Sequence, residues 1–317
     1  MAITMKSVAV ASRSFSMHPI LRNEVLKRYP DAKFNNKGLS LSGDSLVEFL
    51  SGHEKAITAL EVIDDSILSK LPDLKVIGKY GVGLDMIDLH AMKGRGVKLG
   101  WTGGVNKRSV SELVISFSVY LLHRVAFANA EVRNGEWYQV KGRQLSGCTF
   151  GIVGCGNIGK DLVKLLKPFG CNILAHDIID FKEFYRENDV TPVGLDELLQ
   201  RSDVVTLHLP KNDSTNNILN KDRLQMLKKD AILINLARGG LLDEEALKKI
   251  LLKNKIAGVA LDVFAIEPPT DTDFALMDNV LITPHIGGST DEAILAMGMA
   301  AIEGLDNAKD PLIFARN

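Results

Sequence analysis

The chain contains 317 residues, of which 46% are apolar and 24% are charged, and its mean hydropathy is +0.07. This length is enough for two domains that each bury a core, and the composition is that of a globular protein. Because 38 basic residues almost balance 39 acidic ones, the sequence offers no broad charge for nucleic acid or an anionic membrane, and we expect neither partner.

Short apolar segments alternate with helical patterns from the N-terminus onward. The predicted strands are Val8–Ala11, Ala56–Leu60, Lys75–Gly78, Phe150–Val153, Asn172–Ala175, Val204–Leu207, Ile232–Asn235, Gly258–Leu261 and Val280–Thr283. The predicted helices include Leu162–Pro168, Leu195–Gln200 and Glu244–Lys253. Such alternation is typical of βαβ units, in which helices cover both faces of a parallel sheet. We therefore predict an α/β protein with two doubly wound parallel-sheet domains and a ligand cleft between them.

Two glycine pairs mark candidate domain boundaries. A long helical pattern begins near Ser109, shortly after Gly103-Gly104, and leads into a polar loop. Another helical pattern, Glu292–Asn307, begins shortly after Gly287-Gly288. The predicted boundaries give domains at residues 1–106 and 107–291 and a C-terminal segment at 292–317.

No segment has the pattern of a secretion signal or a membrane span. The first apolar run is short, and the apolar segment 113–130 is interrupted by charged and polar residues. Cys148, Cys155 and Cys171 lack zinc-ligand spacing, and an odd, sparse set is typical of reduced thiols. We expect a cytoplasmic protein without a metal site, and the sequence leaves open a redox role for Cys155.

A glycine-rich turn is predicted directly after the strand Phe150–Val153. The residues Gly154-Cys-Gly156-Asn-Ile-Gly159 have the spacing G-x-G-x-x-G and precede a helical pattern. The first glycine permits a tight turn, the second lets a pyrophosphate approach the backbone, and the third lets the helix pack on the strand. Backbone N–H groups at the helix N-terminus then bind the phosphates. This context favours a dinucleotide site over a plain strand–helix turn.

An acidic residue, Asp177, follows the next predicted strand. It lies about twenty residues after the glycines, where a carboxylate hydrogen-bonds the adenosine ribose hydroxyls. A carboxylate there would repel the 2′-phosphate of NADP, and no arginine or lysine follows before Lys182. The predicted cofactor is therefore NAD, and the alternative is that Asp177 is a solvated loop residue.

Arg238, Glu267 and His285 each follow one of three successive predicted strands. The carboxyl ends of parallel strands lie at one edge of a sheet, so the three side chains can converge. A guanidinium can bind the carboxylate and carbonyl oxygens of a 2-oxo acid, and histidine can supply the proton that the reduced carbonyl needs. A carboxylate such as Glu267 would orient the imidazole and favour its protonated form. Each residue alone could be structural, so the assignment depends on the joint pattern.

With these features the sequence resembles the D-isomer-specific 2-hydroxyacid dehydrogenases over most of its length. The motifs that carry the resemblance are Gly154-Cys-Gly156-Asn-Ile-Gly159, Asp177, Leu207-His-Leu-Pro210, Ile234-Asn-Leu-Ala-Arg238-Gly-Gly, Leu261-Asp-Val-Phe-Ala-Ile-Glu267-Pro and Thr283-Pro-His285-Ile-Gly-Gly. The resemblance implies an NAD-binding Rossmann domain inserted in a flavodoxin-like substrate domain. It also implies that Arg238, Glu267 and His285 are catalytic, and that Asp262 holds the nicotinamide carboxamide. The other cofactor contacts that it implies are Asn157, Ile158, His208, Pro210, Ala237 and Gly287.

The resemblance also points to a substrate loop, Lys79-Tyr-Gly-Val-Gly-Leu-Asp85. Backbone N–H groups near Val82 and Gly83 would bind the substrate carboxylate, with Lys79 and Tyr80 beside it; an ordinary strand–helix turn is the alternative. Within the family the loop is most similar to that of D-3-phosphoglycerate dehydrogenases. This similarity implies that Lys79 and Arg13 of this chain would lie near the distal phosphate of the substrate.

Other activities stay open within and outside this enzyme class. The resemblance implies a D-3-phosphoglycerate dehydrogenase-like activity first, and glyoxylate or hydroxypyruvate reduction is the alternative reaction. An NADH-sensing co-repressor, which binds the cofactor but turns over substrates poorly, is the alternative from another class. The resemblance implies a homodimer or homotetramer and a small 2-hydroxy or 2-oxo acid as substrate.

Overall fold

The computed structural model describes residues 7–270 and 273–315. Within it the chain forms two compact units. The first unit falls within Met1–Asn106 and Asp291–Asn317, and the second spans Lys107–Thr290. The chain thus leaves the first unit after Asn106 and returns to it at Asp291.

Strands and helices alternate in both units. The strands of the described residues are β1 Val8–Val10, β2 Lys33–Phe34, β3 Lys55–Thr58, β4 Val76–Lys79, β5 Lys98–Gly100, β6 Thr149–Val153, β7 Asn172–His176, β8 Val190–Pro192, β9 Val204–Leu207, β10 Ile232–Asn235, β11 Gly258–Leu261 and β12 Val280–Ile282. The α-helices are α1 Arg13–Met17, α2 Pro19–Arg28, α3 Gly43–Leu50, α4 Asp65–Leu68, α5 Leu89–Gly94, α6 Lys107–Leu122, α7 Val125–Arg133, α8 Asn157–Leu166, α9 Lys182–Glu187, α10 Leu195–Arg201, α11 Lys221–Leu224, α12 Glu244–Leu252 and α13 Asp291–Gly304.

The first unit contains a five-stranded parallel sheet with the order β2-β1-β3-β4-β5. This is the flavodoxin-like order 2-1-3-4-5. The C-terminal helix α13 packs closely on this sheet: a Cβ built on Gly100 would lie 2.2 Å from the carbonyl oxygen of Gly304. A Cβ on Gly78 would likewise lie 2.4 Å from the carbonyl oxygen of Ala301. Glycine at these positions lets the helix approach the strands.

The second unit contains a seven-stranded parallel sheet with the order β8-β7-β6-β9-β10-β11-β12. This is the dinucleotide-binding order 3-2-1-4-5-6 with one further strand, and the order reverses between β6 and β9. The prediction of two doubly wound parallel-sheet domains is therefore confirmed. Ligands of such sheets bind beyond the carboxyl ends of the strands near this reversal.

Helix α6 lies in the core of the second unit. It buries Val110, Val114 and Phe117 against strands of the sheet and helix α8. Arg124 interrupts the apolar segment in a left-handed conformation, and α7 continues at an angle of 59°. Among the described residues no single helix is long and apolar enough to cross a membrane, although the bent pair α6 and α7 meets that test jointly by length and composition.

Candidate active site

The predicted site residues of the second unit all follow carboxyl ends of its parallel strands. The glycine-rich turn follows β6, Asp177 follows β7, and His208 follows β9. Arg238 comes after β10, Asp262 and Glu267 after β11, and His285 after β12. Because all neighbouring strands are parallel, these segments share one edge of the sheet.

The turn between β6 and α8 requires glycine at two positions. Gly154 has a φ of +95°, and a Cβ there would lie 2.5 Å from the carbonyl oxygen of His208. A Cβ on Gly159 would lie 2.5 Å from the carbonyl oxygen of Gly154, so α8 packs directly on the turn. At Gly156, which precedes the first turn of α8, a built Cβ meets nothing within 4 Å. The N-terminus of α8 therefore faces open space that a phosphate can enter.

Asp177 closes the same turn from the neighbouring strand. Its Oδ2 accepts a hydrogen bond from the backbone N–H of Cys155 at 2.7 Å, and its Oδ1 accepts one from Ile179 at 2.9 Å. The nearby Nζ of Lys160 lies 3.4 Å from the ring centroid of Phe181, in a cation–π contact. The carboxylate thus lies next to the glycine-rich turn, as ribose recognition requires.

His208 presents a neutral imidazole beside this turn. Its Nε2 lies 3.1 Å from Oγ1 of Thr206, and its buried Nδ1 has no hydrogen-bond partner among the described residues. Burial lowers the pKa of His208 to about 3. The unpartnered nitrogen is a polar atom that a bound cofactor can satisfy. Pro210, two residues further on, is exposed.

Arg238 lies in a turn that Asn235 organises. The side chain of Asn235 accepts from the N–H of Ala237 at 3.1 Å and donates to the carbonyl oxygen of Arg238 at 2.9 Å. Nη1 of Arg238 donates to the carbonyl oxygen of Ala237 at 2.7 Å. The next residue, Gly239, packs so closely on the segment after β11 that a Cβ would lie 1.8 Å from the carbonyl oxygen of Phe264. The backbone at Arg238 is therefore held in place by Asn235 on one side and by the close packing of Gly239 on the other.

His285 and Glu267 form a direct pair. Nδ1 of His285 lies 2.8 Å from Oε2 of Glu267, and the two side chains are 50% and 38% exposed. The other carboxylate oxygen of Glu267 accepts from the backbone N–H of Phe264 at 3.1 Å. The glutamate is thus held at one oxygen and contacts the imidazole through the other. This leaves Nε2 of His285 as the ring nitrogen that faces away from the carboxylate.

Asp262 organises the loop that carries His285. Its carboxylate is 1% exposed and accepts hydrogen bonds from the hydroxyl of Thr283 at 2.5 Å and from the N–H groups of Ile286 and Gly287 at 2.7 and 2.8 Å. Sequence reasoning did not single out Thr283. The signal that could have found it is a hydroxyl at the end of a strand, two residues before a candidate catalytic histidine.

In the first unit, Lys79 ends β4 and is only 4% exposed. Its Nζ donates to the carbonyl oxygens of Ala59 and Tyr80, at 2.8 and 3.0 Å. The lysine therefore ties the segment after β3 to the segment after β4. Contact between Lys79 and a substrate phosphate stays a prediction. In the structure, Nζ of Lys79 makes these two hydrogen bonds within the protein.

The other predicted substrate residues of the first unit differ in exposure. Tyr80 is buried and packs edge-on against Phe15, with ring centroids 5.2 Å apart. Val82 and Gly83 are partly exposed, and the carbonyl oxygen of Val82 accepts from Nε1 of Trp101 at 3.2 Å. Arg13 is exposed, and its Nη1 lies 3.3 Å from Oγ of Ser40.

Comparisons with known proteins agree with this arrangement. Residues 115–287 match the model of the D-isomer specific 2-hydroxyacid dehydrogenase, NAD binding domain. D-3-phosphoglycerate dehydrogenase of Methanocaldococcus jannaschii is 40% identical over 240 residues, which cover 75% of this chain and 46% of that protein. Hydroxypyruvate reductase of Thermotoga maritima is 38% identical over 238 residues, which cover 73% of this chain and 76% of that protein.

A solved structure extends the likeness over both units. D-lactate dehydrogenase of Aquifex aeolicus, in complex with NAD and lactic acid, has a TM-score of 0.81 and 27% sequence identity, with 94% of this chain and 93% of that chain covered. The protein belongs to the D-isomer-specific 2-hydroxyacid dehydrogenase family. Its cofactor is NAD, and the second unit contains the family's NAD-binding domain. The matched part spans about half of the M. jannaschii relative, at 46% of its length.

Proposed function

We propose that the protein is an NAD-dependent dehydrogenase that interconverts a D-2-hydroxy acid and its 2-oxo acid. The observation that carries the proposal is the 2.8 Å contact between His285 and Glu267, at the sheet edge that also carries Arg238 and the glycine-rich turn. A carboxylate-paired imidazole supplies or accepts the proton of a carbonyl–alcohol interconversion. NAD, when bound, supplies the acceptor or donor of the hydride.

The residues of the second unit fit this cofactor. The open N-terminus of α8 at Gly156 would bind the pyrophosphate, and Asp177 would hydrogen-bond the ribose hydroxyls. Asp262 accepts three hydrogen bonds from the described residues, which leaves one of about four acceptor positions for the nicotinamide carboxamide. His208 would satisfy its buried Nδ1 on the cofactor side of the turn.

The protein groups act on the substrate in two ways. The guanidinium of Arg238 would fork onto the carboxylate and carbonyl oxygens, which orients the acid and polarises the carbonyl bond. In reduction, Nε2 of His285 donates its proton to the oxygen that gains negative charge. In oxidation the same nitrogen accepts the proton of the hydroxyl, and Glu267 stabilises the imidazolium that forms.

For the substrate we propose a short unphosphorylated 2-oxo acid, such as hydroxypyruvate or glyoxylate. The support comes from the buried Nζ of Lys79, which already donates to two carbonyl oxygens of the first unit. To bind a substrate phosphate, Lys79 would have to give up its hydrogen bonds to the carbonyl oxygens of Ala59 and Tyr80. D-3-phosphoglycerate dehydrogenase activity is the second candidate, and the 40% identical relative of that name favours it.

Side-by-side assays of NADH oxidation test this proposal. Purified protein is given hydroxypyruvate, glyoxylate or 3-phosphohydroxypyruvate at matched concentrations. We expect the highest kcat/KM with an unphosphorylated acid. A hundredfold preference for the phosphorylated acid, about 2.7 kcal/mol, would assign the second candidate. NADH binding without turnover of any 2-oxo acid would favour the co-repressor-like alternative.

The variant Lys79→Met separates the two roles of the lysine. If Lys79 only holds the segments after β3 and β4 together, its loss affects every substrate, so kcat/KM should fall by a similar factor for all three acids. As a phosphate ligand, it would lower kcat/KM for 3-phosphohydroxypyruvate alone. Lys98→Met is the control, because Lys98 is an exposed lysine of the first unit that begins strand β5 and so lies away from the carboxyl ends of the strands.

We also propose that two copies of the chain associate through α7 and the segment that follows it. Helix α7 contains no buried residue, and Trp137 is 87% exposed. Phe127 and Tyr138 join the helix to this segment, with ring centroids 6.5 Å apart. An apolar surface of this kind is typical of an interface. Light scattering should show a dimer or tetramer that Trp137→Asp dissociates, whereas the exposed-site control Leu252→Asp should leave its mass unchanged.

A further inference from the structure

His285 has a backbone conformation that needs support. Its φ angle is 55°, in the left-handed region that a residue with a Cβ adopts only when its surroundings hold it there. Its N–H donates to the carbonyl oxygens of Asp262 and Thr283, at 2.9 and 3.1 Å. The imidazole that contacts Glu267 is therefore carried by a strained residue. Its position depends on the groups that fix the loop 283–288.

One side of this loop is fixed by the carboxylate of Asp262. Its Oδ2 accepts from the N–H of Gly287 at 2.8 Å, and its Oδ1 accepts from the N–H of Ile286 and the hydroxyl of Thr283. These bonds hold the residues on both sides of His285. None of these bonds involves the carbonyl group of Gly287.

Ser109 supplies that second support from helix α6. Its buried Oγ donates to the carbonyl oxygen of Gly287 at 2.7 Å, across 178 residues of sequence. Both backbone polar groups of Gly287 are therefore bonded. A Cβ built on Gly287 would lie 3.2 Å from Oδ2 of Asp262 and 3.6 Å from a methyl group of Val110, so the glycine is also closely packed.

Helix α6 is itself tied to the helix of the glycine-rich turn. Nε and Nη2 of Arg108 donate to the two carboxylate oxygens of Asp161 on α8, at 2.9 and 3.0 Å. A continuous set of contacts thus runs from α8 through Arg108 and Ser109 to Gly287. It fixes the loop of His285 relative to the helix whose N-terminus faces the cofactor phosphates.

We infer that Ser109 is a positioning residue for His285. Its hydroxyl holds the carbonyl group of Gly287 and thereby the left-handed backbone from which the imidazole reaches Glu267. The catalytic part of this inference rests on the proposed function. Ser109 touches neither substrate nor cofactor in this role, and it acts through the peptide group two residues after the histidine.

The test compares Ser109→Ala with Ser118→Ala. Ser118 is a matched control because it is buried in the same helix and its Oγ donates at 2.7 Å to a backbone carbonyl, that of Val114, within the helix itself. Both variants lose one buried serine hydroxyl of α6, but only Ser109→Ala releases Gly287. The measurements are kcat and KM for the best 2-oxo acid, the Kd of NADH by fluorescence, and Tm.

A further readout does not depend on turnover. The imidazole Cε1–H resonance of His285, assigned with His285→Ala, is recorded in the cofactor-free protein by carbon–proton NMR. In Ser109→Ala we expect this resonance to shift or broaden and kcat to fall about tenfold, the size of one lost hydrogen bond. The KM should stay within about twofold, and the Kd of NADH should rise by a smaller factor than kcat falls, because Gly287 is itself a predicted cofactor contact. Ser118→Ala should leave the resonance and kcat unchanged.

The outcomes separate this inference from the proposed function. An unchanged His285 resonance in Ser109→Ala overturns the positioning role, even if Tm falls. Equal losses of kcat in Ser109→Ala and Ser118→Ala overturn it as well. Wild-type protein that turns over no 2-oxo acid overturns the proposed function instead, and the resonance then still decides whether Ser109 positions the histidine.

Discussion

Replacing Glu267 with glutamine tests the contact on which the proposed mechanism depends. Glutamine keeps the size of the side chain but only one oxygen, which can accept from the N–H of Phe264 or from Nδ1 of His285, since Glu267 uses a different oxygen for each contact. It removes the negative charge that stabilises the imidazolium. The variant therefore keeps the shape of the side chain while it removes the charge and one of the two acceptor oxygens.

The exposure of the pair sets the magnitude. Unit charges 2.8 Å apart interact by about 1.5 kcal/mol in water. The side chains of His285 and Glu267 are 50% and 38% exposed, so solvent screening keeps the interaction near this lower limit. About 1.4 kcal/mol corresponds to a tenfold change in rate. We therefore expect kcat in Glu267→Gln to fall about tenfold.

The assay follows NADH oxidation at pH 7 with the best 2-oxo acid, and NADH affinity is measured by fluorescence. Glu245→Gln is the control, because Glu245 is an exposed carboxylate of the same unit. The control should keep wild-type kcat, and both variants should keep the wild-type Kd for NADH. A kcat for Glu267→Gln within twofold of the control would refute the charge argument.

Four other predictions concern separate parts of the second unit. Asp177→Ala should lower the preference for NADH over NADPH at least about tenfold in kcat/KM; an unchanged ratio would assign ribose recognition to another residue. Arg238→Lys should lower kcat/KM about a hundredfold or more, because lysine cannot make the forked contact, and wild-type kinetics would contradict its role. Burial lowers the pKa of His208 to about 3, below its unfolded value of about 6.5, so the unfolded state binds more protons between these values. Stability should therefore fall as pH drops below about 6.5, by at most about 1.4 kcal/mol per pH unit from this group, and thermal melts of His208→Gln should show a shallower fall. Burial raises the pKa of Cys155 to about 11, so iodoacetamide at pH 7.5 should modify it more than about tenfold more slowly than free cysteine, as measured by mass spectrometry; rapid labelling would contradict this.

Strongly apolar strands could be predicted from the sequence almost to the residue. The strands Val204–Leu207, Ile232–Asn235 and Gly258–Leu261 have the predicted bounds. The short strands β2, β5 and β8 were not predicted, because their two or three residues do not form an apolar run. Strands β1 and β12 also have three residues each, but all of these are apolar, and both strands were predicted. Helix α8 begins at Asn157, before the predicted Leu162. The first turn was not predicted because it contains asparagine and glycine, which have low helix propensity.

Spacing also located most of the candidate site. Arg238, Glu267 and His285 could be assigned to one sheet edge because parallel strands end on the same side. The partners of Lys79 could not be predicted, because Ala59 lies beyond a different strand. Ser109 and Gly287 are 178 residues apart, and no local pattern links a helical serine to a distant carbonyl group. Such contacts arise only from the packing of complete elements.

The position of α13 has a consequence for the order in which the chain can fold. Ala301, Ile302 and Leu305 share a core cluster with Val8 and Phe15. During synthesis, the ribosome must complete residues 107–290 before this helix exists. One face of the first sheet therefore lacks part of its cover while the second unit, whose core is contiguous in sequence, can already assemble. The unit that emerges first is the one that completes its core last.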